Sequence, residues 1–538
     1  MIKKIMAVAL LALTIAGCGK QNIEITTPNS KPQAASGRLT IASLQEPNLL
    51  NPLLAENEAA YDVDRLIYSG LLFCDDKGSW QADLALDVPS SQNGGISQDG
   101  RVLTYHLRPG VAWHDGVAFT ADDVKFTWQM IMSKKLKISR DGYEQISGID
   151  TPNPTTVIVR FKDPYPGYLS LFPFLMPKHL WEKEADWLKS PLNRAPIGTG
   201  PFKFVNWQLA EQIELEANSS YYRGKPRLNK INYKFVTDND ILLNQLKVGE
   251  VDIAVNLPFA SADQGRAVSG SKSVLVPTGI LEELAINLDL PQFQDANVRM
   301  AMDKSIDRPG IVSQVLKGVA HVAAGDQPMG AWALRTDLKA GTRDVSAAKE
   351  LLAQSGWTQG PNGVWEKNGK KLAFSIQVPS GNKLREQVAF YLASQLRETG
   401  MQVEVQTVDE QLFFNERLPM RRFELALFAL VTNEEPDNYD LWNSSQIPTS
   451  KNGYGGRNYA GWRNQEVDQL TLLGRQTFDY QTRKQYYGRI QECMIDDVPI
   501  VPLYFRAALD VAKESVQNYR PLPWKGGRFW NAWEIEMK

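Results

Sequence analysis

Histidine and cysteine are scarce in this chain: four and three residues among 538. The histidines, His106, His114, His179 and His321, form no close cluster with cysteine or carboxylate, which argues against a dedicated metal site. Only Cys74 and Cys493 follow Cys18, so the body of the chain has material for a single disulfide. Whether those two cysteines meet is open at this level. Charge of one sign is also lacking. Fifty-nine Lys and Arg stand against 61 Asp and Glu, with no basic tract, which argues against nucleic acid as a partner. Beyond the N-terminal stretch no run approaches roughly 18 consecutive apolar residues, so no membrane-spanning helix is expected there. No G-x-S-x-G elbow, H-E-x-x-H pair or nucleophilic cysteine context occurs. An enzyme is therefore not expected, and no cofactor is implied.

What is present begins at the N-terminus. Lys3 and Lys4 precede an apolar run of about a dozen residues, the pattern of a secretory signal and too short for a membrane span. Ile15-Ala16-Gly17-Cys18 then reads as a lipobox, with cleavage before Cys18 and lipid on its thiol. Residues 19–37 are rich in Ser, Thr, Pro, Gln and Asn and lack apolar periodicity, which suits a flexible tether. A protein held at a membrane surface but working in water is expected. The remaining chain is long for one hydrophobic core, so two or three domains are expected.

Local patterns in the body are mixed. Arg38–Ser43 and Arg101–Leu107 alternate like strands, and Thr156–Phe161 is a third such run. Thr120 with Asp123 three residues on marks a helix start, and the helix it opens carries Phe126 and Trp128 on different faces. Asp163–Pro177 is dense in Pro and aromatics and is expected to be irregular. Asp295 is positioned to cap a helix bearing Val298, Met302 and Ile306. Helices are predicted over Ser346–Gly356 and Leu384–Thr399, each stopped by glycine. Met401–Val408 alternates, and Glu424–Val431 is a continuous apolar run that suits a buried strand. Helices alternating with strands argue for α/β architecture. No short-period repeat is present.

Five motifs follow one another in an order that resembles the family 5 extracellular solute-binding proteins. They are Leu107–Trp128 (LRPGVAWHDGVAFTADDVKFTW), Pro196–Phe204 (PIGTGPFKF), Tyr221–Pro226 (YYRGKP), Gly249–Ile253 (GEVDI), and Phe293–Gly318 with Asp295, Val298-Arg299, Ala301 and Ile306-Asp307-Arg308. The resemblance runs from about Arg38 to the C-terminus. It implies a periplasmic-binding-protein-like α/β fold, with two main lobes hinged around a cleft and an inserted third lobe. Lobe I would comprise residues 38–55, 195–270 and 505–538, the inserted lobe II residues 56–194, and lobe III residues 271–504. The implied function is capture of a peptide or peptide-like solute by hinge closure and delivery to an ABC permease and ATPase complex. The implied protein is a monomer outside the cytoplasm, lipid-anchored to the bacterial cell membrane or periplasmic face. A non-peptide solute (an opine-like compound, small glycan or metal chelate) or a ligand-presenting sensor is the alternative.

Phe423–Gln446 resembles the family strand and loop that set an acid against a ligand's α-amino group. Aligned through Pro436, that position falls on Thr432, or with a one-residue slip on Asn433. Glu434 and Glu435 follow at once. Three readings stay open: Glu434 takes over the cation contact, with Glu435 pointing the other way and doing little; the ligand has no free α-amino group; or the acids belong to a solvated loop. The other candidates for the cleft are Tyr143, Glu283, Tyr439, Trp442 and Tyr454. Of Glu282 and Glu283, strand geometry lets only one point inward.

The lipobox yields a direct prediction. Mass spectrometry of the mature protein should find Cys18 at its N-terminus with a lipid-sized mass increment, and Cys18→Ser should abolish both. An unmodified mature chain beginning elsewhere would contradict the reading.

Overall fold

The computed structural model describes residues 37–538, so the leader, the Cys18 lipobox and nearly all of the tether lie outside the described residues. The segments with the strongest patterns form as predicted. Strand β1 spans Arg38–Ser43. Helix α1, Glu58–Ile67, starts at Asn57, whose side chain accepts from the Ala60 N–H. Helix α2, Ala121–Met132, has Thr120 before it, and the Thr120 N–H donates to the Asp123 carboxylate at 2.8 Å. Phe126 and Trp128, two residues apart on α2, pack into two different cores.

A three-stranded antiparallel sheet of Val102–His106, Thr156–Phe161 and Ile146–Asn153 backs α2. The main sheet then continues with β2 (Phe202–Gln208), β3 (Gln212–Ala217), β4 (Lys230–Phe235), helix α3 (Asn239–Val248) and β5 (Ile253–Leu257). A 16-residue strand, β6, runs over Ser271–Ile286. Helix α4 (Ala296–Ser305) follows, and the Asp295 carboxylate accepts from the Asn297 N–H as its cap. Helices α5 (Val345–Gln354) and α6 (Lys383–Glu398) flank β7 (Ala373–Pro379). Gly400 stops the chain after α6 at φ +96°, where a Cβ would lie 2.6 Å from the Gly363 carbonyl oxygen. Then come β8 (Gln402–Val408), β9 (Leu425–Val431), helices α7 (Gln465–Gln476) and α8 (Tyr480–Asp497), and β10 (Ile500–Lys513).

The main-sheet order is β8-β7-β9-β6-β10-β5-β1-β4-β3-β2. Strand β5 pairs with β10 only near residues 509–512, and β9 pairs with β6 only over residues 280–286. Among the described residues the two halves of the sheet are thus joined through β6 and β10 alone. The register of that pair breaks in the middle: Pro277 faces Ala507, but the next partner pair is Leu281 with Phe505. Pro277 has no N–H to give, and the extra residues on β6 form a bulge where the pair can bend.

Separate apolar clusters lie on the two sides of this break. Leu39, Ile41, Val63, Tyr233 and Phe529 belong to one, into which α1 packs. Leu103, Trp113 and Val159 belong to a second, in the segment between β1 and β2. The half containing β7 and β9 is covered on both faces: Leu425 and Leu427 enter one cluster, Ala426 and Phe428 another. Burial on both faces explains the unbroken apolar run of β9. Cys74 and Cys493 are both buried free thiols, so the disulfide that the composition allows is not made.

The C-terminal segment is held by charge. The Arg528 guanidinium donates to both Asp62 carboxylate oxygens on α1, at 2.8 and 2.9 Å, and to Asp510 on β10 at 2.8 Å. All three side chains are buried. Arg528→Met would strand two buried carboxylates, so it should lower unfolding stability by about 3–5 kcal/mol in urea titrations. A variant with the wild-type midpoint would show that this cluster carries little of the fold.

Candidate functional site

The loop after β9 gathers charge from every neighbouring element. The Thr432 N–H donates to the Gly279 carbonyl at 2.7 Å, and its hydroxyl to the same oxygen at 3.0 Å. Gly279 lies in the bulge of β6. A Cβ there would come 2.6 Å from the Thr432 carbonyl oxygen and 3.4 Å from the Trp524 ring, so only glycine fits. Asn433 is exposed. Glu434 lies in the field of Arg65 of α1. Glu435 ion-pairs with the buried Arg483 of α8, which also lies 5.3 Å over the Trp332 ring. Asp437 pairs with Arg475 at 2.9 Å, and Asn438 donates to Asp326 at 3.1 Å.

The charges at this loop are unevenly balanced. Glu435 has a bonded counter-ion, whereas Glu434 feels Arg65 without a hydrogen bond to it among the described residues. Burial pushes the Glu434 carboxyl up to about 7, against the downward pull of Arg65. Arg65 in turn lies 4.5 Å over the Phe174 ring and leaves its Nε–H without an acceptor. Behind it, Arg65, Ser69, Asp83, Tyr221 and Trp530 line a cavity of about 10 Å³, room for roughly one water. Asp83 accepts from the Tyr222 hydroxyl at 2.5 Å and from Arg223 Nε at 3.1 Å. The Tyr-Tyr-Arg part of the YYRGKP motif therefore anchors the wall of this cavity.

The residues singled out from sequence fall into three groups. Thr432, Asn433 and Glu434 share the loop with Tyr439 and Trp442. Tyr439 lies under Arg475 at 4.6 Å and its hydroxyl meets Ser445 at 2.9 Å. Trp442 is buried and its indole donates to Asp326 at 2.7 Å. Glu283 is buried below the loop, paired in register with Phe428 of β9. Tyr143 and Tyr454 lie apart: no hydrogen bond or ring contact ties either to residues 432–443 among the described residues. The Tyr143 hydroxyl accepts from the Phe172 N–H at 2.8 Å, with the two rings edge to face. Tyr454 is 38% exposed at φ +60°. The solvated-loop reading fails for Glu435, whose carboxylate is committed to Arg483. Sequence inspection missed Arg65, Asp83, Asp326 and Trp524. Each comes from a segment far from residue 432 in the chain and carries no local signature.

Comparison with known proteins places the chain as a whole. A family model described as bacterial extracellular solute-binding proteins, family 5 Middle, matches residues 51–452. The chain is 30% identical to the oligopeptide-binding protein AppA of Bacillus subtilis, over 97% of this chain and 96% of that protein. The solved structure of that protein in complex with a nonapeptide has a TM-score of 0.61 at 28% identity, covering 93% of this chain and 99% of the other. NikZ from Campylobacter jejuni in complex with Ni(L-His) gives a TM-score of 0.64 at 28% identity, with the same coverage.

Glu434 makes the stability of the unliganded protein depend on pH. Its carboxyl is held above the ordinary 4.5, so the stability it contributes is full below that value and is lost as pH passes about 7. Glu434→Gln should remove this decline. Melting temperatures taken across the range should therefore converge at low pH and separate at high pH, with the variant higher. Parallel curves would mean that Glu434 is already solvated.

Proposed function

The chain belongs to the bacterial extracellular solute-binding proteins of family 5, and from that premise we propose that it captures a peptide or peptide-like solute outside the cytoplasm for an ABC importer. In this reading it performs no chemistry on the solute. Lobe I and lobe III are the two halves of the main sheet, and lobe II is the insertion between β1 and β2. Because α1 packs with the first core, we assign the start of the insertion after Ile67 rather than at residue 56. Cys18 would tether the protein by lipid, and the permease and ATPase would receive the solute.

One observation carries the reading: a polar loop with an incompletely paired acid stands beside the only two strands that join the halves of the sheet. A pair of strands with a bulge can bend, and bending brings fixed hydrogen-bonding groups onto a solute. Glu434, with Asn433 and Thr432 beside it, is our candidate for the ligand's leading end. Tyr439 is a wall residue, and Trp442 supports the site through Asp326. Tyr143 and Tyr454 are assigned to packing and surface. The relative titled as a complex with Ni(L-His) keeps a metal chelate as the second reading.

A thermal-shift screen of di- to nonapeptides decides between them. A peptide with a free amino terminus should raise the melting temperature, because it binds only the folded state. Glu434→Gln should weaken that peptide by about tenfold. Glu435→Gln should instead lower the unliganded melting temperature, since it leaves buried Arg483 unpaired. A shift with nickel–histidine and with no peptide would replace the peptide reading by the chelate.

A further inference from the structure

Glu282 and Glu283 are adjacent on β6 and both are buried, on opposite faces of the sheet. Glu282 is fully compensated: Arg385 donates to it at 3.0 and 3.1 Å, and Arg506 at 2.9 Å. Glu283 is not. It is 2% exposed, its Oε2 has no hydrogen-bond partner, and it makes no ion pair among the described residues. It enters the cluster that contains Phe428 and Trp442.

A second acid faces the same interior. Asp326 is 1% exposed. Its Oδ2 accepts from Trp442 Nε1 at 2.7 Å and from Asn438 Nδ2 at 3.1 Å, while Oδ1 accepts from nothing. The buried amide oxygens of Asn438 and Gln327 also lack donors, and the Gln327 side chain reaches Asp326. Glu283 pairs in register with Phe428 and Asp326 is bonded to Trp442, two members of one apolar cluster, and burial with the field of Asp326 holds the Glu283 carboxyl well above the usual range. Aromatic groups enclose them. Tyr459, which feels the Glu283 charge, lies edge to face with Phe428 at 6.0 Å. Trp442 stands against Trp462 at 6.2 Å.

Two buried carboxylates and two amide oxygens present acceptors with no donors, a costly arrangement unless something fills it. This group of acceptors also borders the loop already assigned to the ligand. Asn438 is on the same loop as Glu434. Asp326 is six residues before Trp332, whose backbone packs against Gly78 of the inserted segment. We infer that Glu283 and Asp326, with the side-chain oxygens of Asn438 and Gln327, form a subsite for a cationic N–H donor of the solute, an ammonium or guanidinium on an aliphatic stem. Its N–H groups supply the missing donors, and the aromatic walls take the stem and the charge. The inference rests on the solute being a peptide, as proposed above.

The test uses the whole soluble chain and two series of alanine-based tri- and pentapeptides. One series carries lysine at each position in turn, the other norleucine, and each is made with a free and with an acetylated amino terminus. Titration calorimetry should find one lysine position that binds at least about tenfold tighter than its norleucine counterpart. Because both series share the terminal ammonium, the preference reads the side-chain cation and should persist in the acetylated peptides; a preference lost on acetylation overturns the side-chain subsite. Glu283→Gln and Asp326→Asn should each erase the preference while norleucine peptides still bind. The unliganded melting temperature of Glu283→Gln should hold or rise, because an unpaired buried acid is removed. Equal binding of the two series by the wild type, or a preference that survives Glu283→Gln, overturns the subsite. So does a melting-temperature rise with calcium or nickel ions alone that Glu283→Gln removes, which would make it a metal site. Failure of every peptide in both series overturns the peptide reading itself, and the subsite with it.

Discussion

Everything in this structure hangs on two strands. Only β6 and β10 carry the main sheet from one half to the other, and their register breaks between Pro277 and Leu281. At the break the Thr278 hydroxyl donates to the Arg506 carbonyl at 2.7 Å, and the Arg506 side chain reaches Glu282. The strands are therefore tied together just where they are free to bend. The half with β7 and β9 encloses its own cores, and so does the half with β1 and β4. The inserted segment also touches the second half, where Cys74 joins the cluster of Phe428 and Trp442, so the change of angle proposed above would have to shift that contact.

Charge divides along the same line. Where rigidity is needed, buried ions are paired: Arg528 with Asp62 and Asp510, Glu282 with Arg385 and Arg506, Glu435 with Arg483. Where the loop after β9 meets Arg65, and at Glu283 and Asp326, acids lack bonded counter-ions among the described residues. Asp64 on α1 is also buried with both carboxylate oxygens unpartnered, so an open acid by itself does not mark a binding place; those near the loop stand, in addition, beside the strands that join the halves. Gly279 links the two features, because its carbonyl holds Thr432 while it sits in the bulge itself.

Much of the local structure was legible in the sequence. The caps at Thr120 and Asp295, the glycine stop at Gly400 and the apolar run of β9 depend on neighbours in the chain, and each formed as read. The long strands β6 and β10 were not read as such, because their central residues interrupt the alternation at the bulge and their partners are more than 200 residues away. Strand geometry also suggested that one of Glu282 and Glu283 would face out. Both are buried because helices and loops cover both faces of the sheet there, which no local pattern reveals. The candidate site was half legible. The loop was found through its resemblance to a family segment, whereas Arg65, Asp83 and Asp326 reach it only through the fold.

The central claim is that a solute is held between two bodies that turn about the β6–β10 break. Val248 on α3 and Phe390 on α6 lie in different halves and are 73% and 58% exposed, so each accepts a spin label without disturbing a core. Pulsed electron resonance on the doubly labelled Val248→Cys, Phe390→Cys protein measures the distance between them, with the buried Cys74 and Cys493 unlabelled. Saturating peptide should move the distribution to a new, narrower maximum. A distribution that peptide binding leaves unchanged would contradict the hinge and, with it, the account given for the open charges beside it.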